Sequence, residues 1–205
     1  LVKEGHRSPV VVSQIWYKVG SSYEPSGITG ISHMLEHMMF KGTDSHPVGE
    51  FSAIIAENGG RENAFTGRDY TAYFQTLEKT RLAISFELEA DRMQHLHLLA
   101  EELDKELQVV MEERRMRTED KHRAKLQEYL MAMAYSNSPY RTPVIGWPSD
   151  IENYQVDDLK KWYQQWYAPN NATLIVAGDV QAEEVFKLAE QYFGPIPVQT
   201  IQTLK

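Results

Sequence analysis

The alternation of apolar and polar positions divides the chain into short strand-like segments and longer helix-like segments. The strand-like segments are runs of apolar, β-branched and aromatic residues bounded by turn-forming residues. Two of them are separated only by Gly67, Arg68 and Asp69, a spacing that predicts a hairpin. The strands are predicted at residues 10–19, 62–66, 70–77 and 172–177.

Helical periodicity covers much of the remaining sequence. Pro47 is typical of a helix start, and Asn58 and Gly59 are typical of a helix end. The longest periodic segment is strongly charged and has room for a bend, and an ordered, proline-rich loop is expected to follow it. The helices are predicted to begin at 29 or 30 and end at 40, and to span 47–57, 79–93, 100–135, 157–167 and 183–192.

The order of these segments predicts an α+β fold. Strands that occur as hairpins, with helices in blocks, favour a mostly antiparallel sheet with helices packed on one face. A chain of 205 residues can bury a substantial core, and we interpret residues 1–195 as one domain. Residues 196–205, which follow Gly194 and Pro195, are expected to begin an interdomain linker.

Composition removes several classes of function. The net charge of −8 argues against binding to nucleic acid or to an anionic membrane surface, because both attract basic protein faces. No segment approaches the roughly 18 consecutive apolar residues of a membrane span. The chain has no cysteine, so disulfides and thiolate metal sites are excluded. Histidine and carboxylate side chains are therefore the candidates for metal chemistry.

The segment HMLEH carries the clearest chemical signal. His33 and His37 are four residues apart on one predicted helix face, so both imidazoles can bind one ion. Zinc held by neutral imidazoles lowers the pKa of a bound water toward about 7. Glu36 on the same face can then take the water's proton, in the inverted order of the HExxH motif. A solvated polar face of an amphipathic helix is the alternative interpretation.

A catalytic zinc site needs a third protein ligand. The long charged segment offers Glu106 and Glu113, which are seven residues apart and therefore on nearly the same helix face. Both lie at the border of an apolar stripe, whereas Glu112 points the opposite way. Ordinary surface carboxylates are the alternative interpretation, so the residues alone leave the third ligand open.

These motifs resemble those of the inverted-zincin peptidases, the family that includes pitrilysin, insulin-degrading enzyme and mitochondrial processing peptidase. The similarity extends over essentially the whole chain and implies the metallohydrolase fold that processing peptidases share with S-ribosylhomocysteine lyase. Bacterial processing-protease-like members are the most similar, and the bacterial periplasm and cytoplasm both stay open as compartments. The motifs are GISHMLEHMMFKGT (30–43), NGGRENAFTGRDYTAYF (58–74) and ELQVVMEERR (106–115).

The resemblance also implies roles for individual residues. One zinc ion would be bound by His33, His37 and Glu113, with Glu36 as the general base. Glu106 matches a second family glutamate that orients or assists the site. The family also has an edge strand that pairs with an extended peptide substrate through main-chain hydrogen bonds. In this chain that strand corresponds to Asn63, Ala64, Phe65 and Thr66.

Family members pair this domain with a second, similar domain, either in the same chain or in a partner subunit. The second half contributes arginine and tyrosine side chains that contact the substrate, and these have no counterpart here. We therefore expect the N-terminal catalytic half of a larger zinc endopeptidase that hydrolyses short or unfolded peptides. Full activity would require the homologous C-terminal domain or a partner subunit. Alone, the chain is expected to bind zinc but to hydrolyse peptides weakly or not at all.

Two other classes of protein fit the residues less well than a peptidase does. S-ribosylhomocysteine lyase shares an HxxEH helix and a related fold, but it needs a cysteine and this chain has none. A non-catalytic processing-type subunit would keep the fold and usually lose one of the three motif residues. His33, Glu36 and His37 are all present, so a catalytic peptidase is favoured.

Overall fold

Five strands form one sheet in the order β1-β5-β2-β4-β3. The computed structural model of the protein describes residues 1–201. All neighbouring strands are antiparallel except β1 and β5, which are parallel. The predicted α+β class with a mostly antiparallel sheet is therefore confirmed. The strands are β1 (Val2–Glu4), β2 (Val10–Tyr17), β3 (Arg61–Thr66), β4 (Thr71–Glu78) and β5 (Ala172–Gly178).

The helices follow the predicted segments, except that the short helix α6 was not predicted and the segment 100–135 is interrupted. Helix α2 begins three residues later than Pro47, because Gly49 has a left-handed backbone with φ of 85°. The helices are α1 (Ile31–Met38), α2 (Glu50–Glu57), α3 (Leu82–His95), α4 (Ala100–Arg114), α5 (His122–Ala134), α6 (Pro148–Ile151), α7 (Val156–Trp166) and α8 (Ala182–Phe193).

The long helix expected at 100–135, for which a bend was allowed, consists of two helices. Helix α4 passes into a π-helical turn at Arg115–Glu119, and Lys121 has an extended backbone before α5 begins. The reason is a contact that is distant in sequence. The buried guanidinium of Arg114 donates to both carboxylate oxygens of Glu128, at 2.9 and 2.8 Å, and to the Gly146 carbonyl at 2.9 Å. These hydrogen bonds hold α5 back against the end of α4.

Alternating burial along the central strand shows that the helices cover one face of the sheet. Val11 and Ile15 of β2 are buried, whereas Gln14 and Trp16 are partly exposed. Helix α1 lies deep in the core, in a cluster that also contains buried residues of α4 and α7. No helix within residues 1–201 is long and apolar enough to cross a membrane. The fully buried residues of α1 are Ile31, Met34, Leu35 and Met38.

The segment after α8 packs against the domain as far as the structure describes it. Ile196 is buried, and the backbone of Gln199 exchanges two hydrogen bonds with the Asn170 side chain, at 2.8 and 3.0 Å. Residues 202–205 lie outside the described residues. The assignment of 1–195 to one domain and of 196–205 to the start of a linker stays a prediction.

Candidate metal centre and substrate cleft

The start of helix α1 is fixed by a close backbone contact. Gly30 has a left-handed backbone with φ of 87°, and a Cβ at this position would lie 2.4 Å from the Ile145 carbonyl oxygen. Gly146 packs against Thr29 in the same way, since its Cβ would lie 2.2 Å from the Thr29 carbonyl oxygen. Only glycine fits at both positions. This contact places the segment before α6 beside the helix that carries the histidines.

A buried carboxylate also anchors α1. Glu24 accepts hydrogen bonds from the backbone N–H groups of Gly30 at 2.6 Å and Ser32 at 2.9 Å. A negative charge at a helix N-terminus is favourable, since it meets unpaired N–H groups and the positive end of the helix dipole. Burial raises the pKa of Glu24 to about 7, although these hydrogen bonds lower it. Glu24 was not among the predicted site residues, because it lies six residues before Gly30, outside the usual capping positions.

Replacing Glu24 by Gln should change how stability depends on pH. The pKa of Glu24 is about 7 in the folded protein, above the ordinary value of 4.5, so the folded state binds the proton more tightly. Its contribution to stability is therefore full below pH 4.5 and is lost as the pH rises through about 7. The loss is about 3 kcal/mol. Urea unfolding between these pH values should show this decline for the wild type relative to Glu24→Gln, and parallel curves would contradict it.

Three side chains converge on the polar face of α1. The distance from His33 Nε2 to Glu113 Oε1 is 3.5 Å, and that from His37 Nε2 to Glu113 Oε2 is 3.3 Å. One donor atom from each residue lies within 4.8 Å of the others. Ligand atoms around a tetrahedral zinc, each about 2.0–2.2 Å from the ion, lie about 3.3–3.5 Å apart. The donor set therefore fits a zinc ion, with two ligands from α1 and one from α4.

Glu106 lies behind this group. Its Oε2 is 3.0 Å from His37 Nδ1, and its Oε1 is 2.5 Å from Lys41 Nζ. When Nδ1 of a neutral His37 donates to Glu106, Nε2 keeps its lone pair for a metal, which is the tautomer that a metal requires. The bond to His37 and the ion pair with Lys41 lower the pKa of Glu106. Burial lowers the pKa of His37, but the two carboxylates outweigh it and raise this pKa to about 9.

Glu36 joins α1 to the edge strand. Its Oε2 accepts a hydrogen bond of 2.5 Å from the hydroxyl of Thr66, the last residue of β3. Glu36 lines the same cleft as His33, His37 and Glu113. The end of β3 therefore lies directly beside the carboxylate that the sequence predicts to be the base.

The two glutamates that follow each other on α4 have opposite surroundings. Glu112 is exposed and pairs with Arg115 at 2.5 Å, whereas Glu113 faces the two histidines. Glu113 also pairs with Arg117 of the π-helical turn at 2.5 Å. The hydrogen bonds from both histidines hold the pKa of Glu113 well below its usual range. Arg117 lies four residues after Glu113, a spacing at which helical side chains meet, so the sequence could have indicated this contact.

A cleft of about 840 Å³ surrounds these groups. Strand β3 is the last strand of the sheet and pairs only with β4 among residues 1–201, so its outer edge faces this cleft. The side-chain oxygen of Asn63 accepts a hydrogen bond from the Ala64 backbone N–H at 2.8 Å. All four residues expected to bind substrate line the cleft, namely Asn63, Ala64, Phe65 and Thr66.

Comparison with known proteins places these features in context. The family model for insulinase, Peptidase family M16, matches residues 1–147, and the Peptidase M16 inactive domain matches residues 153–204. The zinc protease PqqE of Helicobacter pylori is 40% identical over 188 residues, which are 92% of this chain and 42% of the relative. An uncharacterized zinc protease of Bacillus subtilis, YmxG, is 32% identical over 180 residues, 88% of this chain and 44% of the relative.

A solved structure also resembles this chain. The crystal structure of a protease from Helicobacter pylori superposes with a TM-score of 0.92 at 38% identity. The superposition covers 97% of this chain and 48% of that chain. The chain thus spans less than half the length of each of these three relatives.

Proposed function

Because the chain belongs to the insulinase family of peptidases, peptidase family M16, we propose that it is the zinc-binding catalytic domain of an endopeptidase. The convergence of His33, His37 and Glu113 within 4.8 Å, beside a free strand edge, carries this proposal. Two histidines and a glutamate are a donor set of catalytic zinc sites. The names of the relatives from Helicobacter pylori and Bacillus subtilis as zinc proteases support it.

Each residue of the cleft would have a separate role in peptide hydrolysis. Zinc, when bound, supplies a Lewis acid that makes a water nucleophilic near neutral pH. His33, His37 and Glu113 would hold the ion, while Glu106 fixes the ring of His37. Glu36 takes the proton from the attacking water and delivers it to the leaving amine. The hydroxyl of Thr66 keeps the Glu36 carboxylate in place for both transfers.

The edge of β3 would hold the substrate as an added strand. A peptide carbonyl can replace the Asn63 side chain as the acceptor for the Ala64 N–H. Such main-chain hydrogen bonds accept any extended sequence, and they require the peptide to be free of its own secondary structure. Short or unfolded peptides are therefore the proposed substrates. Binding beside Glu36 places the peptide bond close to the reacting water.

A second domain or a partner subunit would complete the enzyme. The relatives are more than twice as long as the part that this chain matches. The cleft beside β3 is open, and a covering domain would exclude water and fix the peptide in place. We propose that this partner is a homologous C-terminal domain or subunit.

Metal removal tests the proposed function directly. The full-length protein should contain about one zinc per catalytic domain and should hydrolyse an unstructured, internally quenched peptide. Chelation should abolish hydrolysis, and added zinc should restore it, because the water loses its activation without the ion. Zinc is measured by mass spectrometry and hydrolysis by fluorescence. Hydrolysis that survives complete removal of metal would contradict the proposal.

A further inference from the structure

Two arginines lie together at one end of the cleft. Arg68 follows β3 by two residues, and its Nε donates to the Tyr140 carbonyl oxygen at 3.4 Å. Its guanidinium also lies over the Tyr140 ring, 5.6 Å from the centroid. Arg141 directly follows Tyr140 in the chain, and it lines the same cleft as Arg68. One short helical turn, Pro139–Arg141, therefore brings both side chains to the same end.

Most other charged groups of the cleft are already paired. Lys41 binds Glu106, Arg117 binds Glu113, and Glu128 binds Arg114. Within residues 1–201, by contrast, neither Arg68 nor Arg141 has a carboxylate oxygen within 4.0 Å.

The acid next to Arg68 in sequence is engaged elsewhere. The carboxylate of Asp69 accepts hydrogen bonds from the hydroxyl groups of Ser22 and Tyr140. It offsets part of the charge of Arg68 from a distance. Within residues 1–201, the Nη groups of Arg68 have no hydrogen-bond partner, and Arg141 donates only through Nη1, to the Ser136 carbonyl oxygen at 3.4 Å. This end of the cleft is therefore locally cationic, in a chain whose net charge is −8.

The position of the arginines relates them to the bond that would be cut. Thr66 contacts Glu36, and Arg68 lies two residues later, in the turn between β3 and β4. An extended peptide advances about 3.3 Å per residue. The substrate residue that reaches the arginines would therefore lie roughly two to four residues from the scissile bond. Guanidinium groups bind carboxylates through paired, charge-assisted hydrogen bonds.

We propose that Arg68 and Arg141 form a subsite for a carboxylate of the peptide substrate. The carboxylate comes from an aspartate or glutamate side chain or from the peptide's C-terminus. The subsite gives the cleft a preference for acidic peptides that main-chain pairing along β3 cannot provide. This inference rests on the proposed peptidase function and names its substrate class.

Matched peptides test the subsite in the full-length protein. One internally quenched peptide is made in variants that carry Glu, Gln or Lys at one of the four positions on either side of the cleaved bond. Each variant is made with an amidated and with a free C-terminus. The wild type should have a kcat/KM about fivefold higher for Glu than for Gln at one position. This ratio should decrease with added salt. A preference for the free C-terminus identifies the terminal carboxylate, and a preference within the amidated set identifies a side chain.

The variant Arg68→Gln/Arg141→Gln should lose the ratio between Glu and Gln peptides. Arg7→Gln/Arg81→Gln removes the same charge at two exposed positions outside the cleft and should keep the ratio. The affinities of the same peptides for Glu36→Gln, with and without the arginine substitutions, give a readout independent of hydrolysis. If no peptide is hydrolysed, the proposed function fails, while an affinity ratio that depends on the arginines still supports the subsite. An unchanged ratio in the arginine variant, or no preference for carboxylate anywhere, would overturn it.

Discussion

Glu36→Gln should lower kcat for peptide hydrolysis by a factor on the order of 10³ and leave the zinc content unchanged. The substitution keeps the size of the side chain and an oxygen for the Thr66 hydroxyl, but the amide cannot accept the proton of the attacking water. The three proposed zinc ligands stay intact, so the ion should remain. The measurements are kcat with an unstructured quenched peptide and zinc by mass spectrometry, both on the full-length protein.

Glu57→Gln is a matched control for this experiment. Glu57 is an exposed residue at the end of α2, outside the cleft, so its substitution should leave kcat and zinc unchanged. If Glu36→Gln kept more than about a tenth of the wild-type kcat, another group would have to act as the base. If the same variant lost its zinc, Glu36 would have a structural role at the ion instead.

Glu113→Ala should have the largest effect on zinc affinity. Glu113 contacts both imidazoles, so its loss removes a direct ligand and leaves two neutral donors. Loss of an outer partner typically costs 10- to 100-fold in affinity, and loss of Glu113 should exceed this range. Glu106→Gln, which alters the partner of His37 Nδ1 and of Lys41 but removes no proposed ligand, should fall within it. Competition with a chromogenic chelator measures all three affinities.

The neighbouring glutamate provides the control. Glu112→Ala removes the same type of side chain from the adjacent position of α4. Among residues 1–201, Glu112 binds only Arg115, which is itself exposed. Its zinc affinity should equal that of the wild type. Circular dichroism should show that the variants are folded, since neither glutamate belongs to the apolar core. Equal affinities for the two alanine variants would contradict the ligand assignment.

The parts of the fold that were predicted well are those encoded by a local pattern. Helix α1 has apolar residues on one face and His33, Glu36 and His37 on the other, so its phase could be read without the structure. Strands β2 to β5 have enough residues for their composition to be informative. Strand β1 has three residues, and its place in the sheet is defined by pairing with β5, which is distant in sequence.

The errors have a common physical cause in contacts between distant residues. The sequence around Lys121 contains neither glycine nor proline, so nothing local marks the break between α4 and α5. The break follows from the buried Arg114, whose partner Glu128 is fourteen residues away. Glu24 and Lys41 were missed for the same reason. Their partners are brought to them only by the folded chain.

In the candidate site, sequence spacing alone was insufficient to identify the third zinc ligand. Seven residues separate Glu106 from Glu113, so helical geometry places both on one face and cannot distinguish them. The resemblance to known peptidases was needed to choose Glu113. In the structure the two carboxylates contact different nitrogens, since Glu113 approaches Nε2 of His37 and Glu106 approaches Nδ1. The roles of the two residues stay predictions until the variants are measured.

The central location of β5 has a consequence for biosynthesis. β5 lies between β1 and β2, yet it is the last of the five strands described in residues 1–201 to leave the ribosome. The nascent chain therefore exposes one edge of β2, and leaves β1 unpaired, until residue 178 has been translated. Pairing across such a long interval is slow, because it closes a large loop. We expect the growing polypeptide to need protection from aggregation during this interval, and the helix that carries His33 and His37 to reach its mature environment only after β5 has emerged.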